Sequence, residues 1–258
     1  MRAAFFGGVY SNWLALEATL RDARRRGAEA VYCLGDLGAF GPHPDRSIET
    51  LRAGGIPVVQ GNYDDAVGSA KPDCGCGYTY PRDDHFARLS YAYTLEHTSG
   101  RHRPWLAGLP ARLAFEAEGK RYVMVHGSPR RQNEFLWETG TPDHLLDRLA
   151  ARAGADVLLC THTGLHWRRA LPSGRQVVNV GAIGRPANDG RTNVWYVFLD
   201  TGRPEPFQFV PVAYDHERLA REMRQERLPD EFVETILSGW WTTCLEILPH
   251  QERLRGRY

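Results

Sequence analysis

The chain has 258 residues, 42% hydrophobic and 24% charged, a balance that excludes a disordered or fibrous protein and suits one large α/β domain or two small ones. Lys and Arg total 32 against 31 Asp and Glu, leaving +1, and apart from Arg24-Arg25-Arg26 no basic block stands clear, which speaks against a nucleic-acid-binding face. No apolar run reaches the roughly 18 residues of a membrane helix, and the N-terminus lacks the ordered regions of a secretory leader, so no membrane partner and a cytoplasmic location are expected. Residues 3–6 read as a strand. Residues 13–26, with Leu14, Leu16, Leu20 and Ala23 on one side, read as a helix capped by Ser11 or Asn12. Strands are predicted at 30–34 and 57–59, with a helix at about 45–53 between them. The pattern returns at 122–125 and 157–160, separated by an amphipathic helix at 142–153. After Val177 the helices stop: 177–179, 194–199 and 207–210 read as strands joined by Gly, Pro, Asn and Asp turns. Residues 215–258 read as helical, with Leu219, Met223, Leu228, Phe232, Ile236 and Leu237 at helical spacing. They carry too few apolar residues for a core of their own.

Most of the unusual chemistry falls in loops that follow strands, where helix N-termini and free backbone groups converge in α/β proteins. Gly35-Asp36, Gly61-Asn62-Tyr63-Asp64, His126-Gly127-Ser128-Pro129 and Thr161-His162 place one carboxylate, one amide and two imidazoles at the ends of four strands. That donor set suits a divalent transition metal such as Mn, Fe, Zn or Ni. Asp36, Asn62, His126 and His162 are therefore the candidate ligands, and the alternative for each histidine is a hydrogen-bonded core residue.

These motifs, in order and spacing, resemble the calcineurin-like metallophosphoesterases, and more narrowly their small bacterial phosphodiesterase branch. Gly38 to Pro44 and Asn179-Val180-Gly181-Ala182-Ile183-Gly184-Arg185-Pro186 share the likeness, which covers residues 1 to about 210. The resemblance implies an α/β four-layer αββα sandwich of two mixed sheets for residues 1–212, and the helical pattern of the tail adds a C-terminal extension, 213–258, expected to pack on it. The resemblance also implies two metal ions, bridged by the carboxylate that matches Asp36, and a phosphorylated small-molecule substrate.

Three departures fall together. The family's Asp-x-His is Gly8-Val9-Tyr10, and its Gly-His-x-His is Thr161-His162-Thr163-Gly164. In the family all three lost side chains serve one ion, whereas Asp36, Asn62, His126 and His162 match the shell of the other. Glycine offers no side-chain ligand and a neutral phenol is a poor one near pH 7. One retained ion is expected. Tyr63 replaces the histidine thought to protonate the leaving group, and a phenol there is a sluggish acid. With Asn62 it is the candidate catalytic pair; Arg130 and Arg185 are candidates for gripping phosphate.

Cys33, Cys160 and Cys244 lie alone in apolar or helical surroundings and are expected as reduced, buried thiols. Cys74-Gly75-Cys76 sits in a turn-rich insert, too closely spaced for an easy disulfide. Either these thiols rebuild a second metal site, with His166 or His85, or they are ordinary loop cysteines. His43, His85, His97, His102 and His144 have no motif context and are expected at the surface. Trp240-Trp241 either packs the tail onto the sheets or forms a dimer contact or lid wall. The functional expectation is a divergent metal-dependent phosphoesterase cleaving a phosphomonoester or phosphodiester. The rival is a non-catalytic protein that binds a metal or a phosphorylated ligand in the old cleft.

Overall fold

The computed structural model describes residues 1–256. β1 (Arg2–Phe6) sends Ala3 and Phe5 into one buried cluster and Ala4 and Phe6 into another. β4 (Lys120–Val125) and β5 (Val157–Cys160) do the same, with Tyr122, Met124, Val157 and Leu159 on one face and Val123, Val125, Leu158 and Cys160 on the other. Strands that are apolar on both faces need cover on both sides. Two stacked sheets with helices outside supply that cover.

The first sheet runs in the order β2 (Ala30–Cys33), β1, β8 (Val194–Asp200), β9 (Phe207–Val212), parallel between β1 and β2 and antiparallel elsewhere. The second has β3 (Arg112–Ala117), β4, β5, β7 (Gln176–Val180) and β6 (His166–Ala170), with β4, β5 and β7 parallel. Between them Phe5, Leu34, Met124, Leu159, Val178 and Val197 form the central layer. α1 (Trp13–Arg25) and α2 (Pro44–Ala53) pack against the outer face of the first sheet, and α6 (Asp143–Ala153) against the second. The fold is the expected αββα sandwich.

Of the two caps offered for α1, Asn12 takes the role: its Oδ1 accepts from Ala15 N at 3.0 Å while its Nδ2 donates to Gly184 O at 3.2 Å. One side chain thus fixes the helix start and the loop after β7. Residues 57–59 form only a single bridge, Val58 to Cys33, in place of the predicted strand. α3 (Asn62–Gly68), α4 (Pro81–His97) and α5 (Arg103–Ala107) follow, joined by a 3₁₀ turn at Gly100–His102. α4 and β6 escape sequence reading for physical reasons. The buried residues of α4 are mostly polar or aromatic (Asp83, Phe86, Ser90, Tyr91, Thr94), and β6 reads His-Trp-Arg-Arg-Ala with only Trp167 fully buried.

The tail forms α7 (His216–Gln225), α8 (Asp230–Ser238) and α9 (His250–Leu254). Leu219, Ala220, Met223, Phe232, Val233 and Ile236 pack on Leu14 of α1 and Phe86 of α4. Asp83 in α4 accepts from the backbone N–H groups of Glu246 and Ile247, and Glu252 in α9 accepts from Thr139 N. Among the described residues, no helix is long and apolar enough to cross a membrane.

Candidate metal centre

The parallel strands set the centre. β2, β4 and β5 end on the same side, so Asp36, His126 and His162 leave the sheets within reach of one another, and Asn62 opens α3 beside them. Asp36 and His162 have φ of +57° and +69°, left-handed conformations that cost of order 1 kcal/mol or more for residues with a Cβ. The surrounding bonds hold Asp36 there. The Asp64 carboxylate accepts from the backbone N–H groups of Asp36, Leu37 and Gly61 at 2.8 to 2.9 Å, and Tyr63 N donates to Asp36 Oδ1 at 3.1 Å. Gly35, at φ +90°, lies against the Gly61 backbone where a Cβ would not fit.

His126 Nδ1 lies 2.6 Å from Leu34 O, which makes Nδ1 the protonated nitrogen and turns the Nε2 lone pair inward. Nε2 stands 3.1 Å from Asp36 Oδ2 and 3.2 Å from His162 Nδ1. Ligand atoms of Asp36, His126 and His162 all lie within 4.8 Å of one another. Neighbouring donors around an ion with bonds of about 2.1 Å are spaced at roughly 3.0 to 3.4 Å. Three converging acceptors also repel unless a proton or a cation sits between them. Asn62 Oδ1 and His162 Nε2 are buried without any hydrogen-bond partner, while Asn62 Nδ2 is spent on Cys74 O at 2.9 Å. A converging carboxylate and two imidazoles fit a divalent ion, and a buried amide oxygen without a partner is free to join them.

The electrostatics agree. Burial works against the Asp36 charge, yet His126 and His162 hold its carboxyl below the ordinary value. Burial likewise opposes charge on His126, but Asp36 carries the ring above its usual range. His162 is pushed down to about 3 by burial and by His126, so it is a neutral imidazole, the form that ligates metal. Asp64 is pushed up to about 7 by burial and the adjacent Asp36, against its backbone donors.

Other expected site residues lie elsewhere. The Tyr63 hydroxyl points away into α4, 3.0 Å from Ser90 Oγ and 3.4 Å from Ala87 O, and burial holds its proton firmly. Tyr63 is therefore a packing residue, with no free proton to give a leaving group. Cys74 and Cys76 are paired with each other as a disulfide, so they do not stand as two thiols turned toward a second metal. Gly75, at φ +61°, folds the backbone so that the two Cα atoms stand 5.3 Å apart, within disulfide range. Cys33, Cys160 and Cys244 are free and buried. Arg130 pairs with Glu134 on the rim. His102 is buried against Asp45, Glu49 and Arg52, where a surface position was expected.

His166 belongs to β6, between Trp195 and Phe209 at 4.7 and 4.8 Å, where burial lowers it to about 4 despite Asp189 and Glu138. Because the folded value lies below the ordinary 6.5, the unfolded chain binds the proton more readily, and stability falls as pH drops from about 6.5 through 4. His166→Phe should remove about 2 to 3 kcal/mol of acid destabilisation at pH 4 relative to pH 7. Urea unfolding at the two pH values measures it, and equal acid sensitivity in both proteins would refute the assignment.

Sequence reading missed the residues that enclose the centre. The Cys74–Cys76 loop and residues 132–135 close over it: Phe135 lies 4.3 Å from the His162 ring, and Asn133 Nδ2 donates to Gly75 O at 2.8 Å. Beside His126 opens a pocket of about 460 Å³ lined by Gln132, Arg112, Arg130, Arg131 and Arg152. Among the described residues, Arg112, Arg131 and Arg152 have no carboxylate within 4 Å. Their segments are scattered along the chain, so no spacing announces them.

The family model described as the calcineurin-like phosphoesterase superfamily domain matches residues 1–203. The chain belongs to that superfamily. It is 24% identical over 251 residues to the uncharacterized protein MJ0912 of Methanocaldococcus jannaschii, covering 92% of this chain and 97% of that protein. Among solved structures it resembles a metallophosphoesterase from Sphaerobacter thermophilus, with a TM-score of 0.70 and 25% identity over 93% of this chain and 99% of that one. The hypothetical protein PH1004 of Pyrococcus horikoshii OT3 shares the fold with a TM-score of 0.77 and 21% identity, over the same shares of both chains. Both likenesses extend beyond residue 203, into the tail.

Proposed function

We propose that the protein is a metal-dependent phosphoesterase that hydrolyses a phosphomonoester or phosphodiester with one divalent ion, held by Asp36, Asn62, His126 and His162. The observation that supports this most is the convergence of Asp36 Oδ2, His126 Nε2 and His162 Nδ1, and the buried Asn62 Oδ1 at the start of α3 lacks any hydrogen-bond partner. When bound, such an ion polarises a phosphoryl oxygen and lowers the pKa of water. The chain supplies the rest. Leu34 O fixes the tautomer of His126, Asp64 fixes the Asp36 turn, and the Cys74–Cys76 loop with Phe135 excludes bulk water. The arginine-lined pocket beside His126 receives the anionic part of the substrate.

One feature favours a second reading, a binder of phosphorylated ligands without turnover: Tyr63, standing at the family's proton-donor position, is locked onto Ser90. Both readings are tested by hydrolysis of p-nitrophenyl phosphate and bis-p-nitrophenyl phosphate with Mn, Fe, Zn or Ni added. Turnover that His126→Ala reduces at least 100-fold and Tyr63→Phe leaves within threefold supports the enzyme. No turnover with any metal, alongside stoichiometric metal binding, supports the binder.

A further inference from the structure

At two of the three family ligand positions lost here, Gly8 and Gly164, other side chains occupy the space that a ligand side chain would need. A Cβ placed on Gly8 would lie 2.8 Å from Tyr10 Cζ and 3.0 Å from its hydroxyl. A Cβ on Gly164 would lie 3.1 Å from Arg185 Nη2 and 3.1 to 3.2 Å from the Trp241 ring. These glycines leave no void behind, because the Tyr10 ring, the Trp241 ring and the Arg185 guanidinium stand in the space that ligand side chains at 8 and 164 would need.

Arg185 is only 5% exposed. Its Cζ lies 3.5 Å from the Trp241 ring centroid, 5.1 Å from that of Phe40 and 5.8 Å from that of Tyr10, so the cation is faced by three aromatic rings. Trp241 is itself pinned, Nε1 donating to Pro186 O at 2.6 Å and its backbone N to Asn188 Oδ1 at 2.8 Å. Among the described residues no carboxylate lies within 4 Å of Arg185, and its buried Nε has no hydrogen-bond partner. A guanidinium buried without an anion is costly, and π-faces offset only part of that cost. Such a group is suited to an anion that arrives with the ligand.

We propose that Arg185 is the chain's built-in replacement for the missing ion: a fixed organic cation that pairs with an oxygen of a phosphoryl group bound at the Asp36–His126–His162 centre. The inference rests on the proposed one-metal site and deepens it, since the ligand is a tetrahedral oxyanion met by a metal ion on one side and a planar guanidinium on the other. Trp241 and Tyr10 are positioning residues that hold the guanidinium in place.

The test uses the full chain loaded with Mn²⁺ or Co²⁺, metal analysis after desalting, and calorimetric titration with inorganic phosphate. One ion per chain is expected, with phosphate affinity at least tenfold weaker in Arg185→Met and intermediate in Arg185→Lys, which keeps charge but loses the fork. Unchanged phosphate affinity in Arg185→Met, two ions per wild-type chain, or no phosphate binding by the wild type overturns the proposal. If Arg185→Met does not fold, Arg185→Lys carries the decision alone: at least a threefold loss supports the role and none overturns it. If the wild type takes up no metal, the one-metal reading fails separately. The same titration on metal-free protein then tests Arg185, an affinity loss supporting it and none overturning it.

Discussion

Asp36→Asn is expected to lower affinity for a divalent ion at least 100-fold, about 2.7 kcal/mol, while the protein stays folded. The substitution preserves shape and one acceptor, so Tyr63 N can still donate to the Oδ1 position. It removes the only carboxylate among the three groups whose donor atoms converge. The two imidazoles and one amide that remain bring no charge to offset the ion's desolvation. The loss has a second consequence in the metal-free protein. Asp36 is what raises His126 against the effect of burial, so the ring should titrate below its usual range in the variant and above it in the parent. Metal content after dialysis against a graded chelator reads the first effect, and histidine chemical shifts against pH read the second. Retention of stoichiometric metal by Asp36→Asn would place the ion elsewhere.

The sandwich was legible because alternating apolar runs and amphipathic helices obey short periods, as β1, α1, β4, α6 and β5 do. Asp36, Asn62, His126 and His162 stood out as candidates because Asp36, His126 and His162 each follow a strand, and Asn62 opens α3, at a motif spacing. What fills the other half of the cleft was not. Gly8 and Gly164 read as losses in sequence, and their meaning depends on Arg185 and Trp241, distant in the chain and brought in by the loop after β7 and by the tail. Tyr63 misled for a related reason. Its position matches a catalytic one, but the direction of its ring is set by Ser90 and Ala87 of α4, a helix whose polar and aromatic pattern hid it. The Cys74–Cys76 pairing turns on the left-handed Gly75, a backbone property that spacing alone does not reveal.

Trp241→Ala is expected to cost about 3 to 5 kcal/mol of stability, the largest effect of any tail substitution. The ring is buried, with a relative exposure of 3%, and it packs against both Gly164 and Arg185. Truncation leaves a cavity, strands the Pro186 carbonyl that accepts from Nε1, and takes from Arg185 the nearest of its three π-faces. Trp241→Phe keeps an aromatic face and loses the Nε1 bond, so it should cost about 1 to 2 kcal/mol. The proposed metal ligands come from the loops after β2, β4 and β5 and from the start of α3, so both variants should still bind one ion under native conditions. Urea unfolding followed by far-ultraviolet circular dichroism, with metal content measured in parallel, separates the two effects. A cost below 1 kcal/mol for Trp241→Ala would mean that the α7–α8 packing on Leu14 and Phe86 and the Asp83 and Glu252 bonds anchor the tail without the ring.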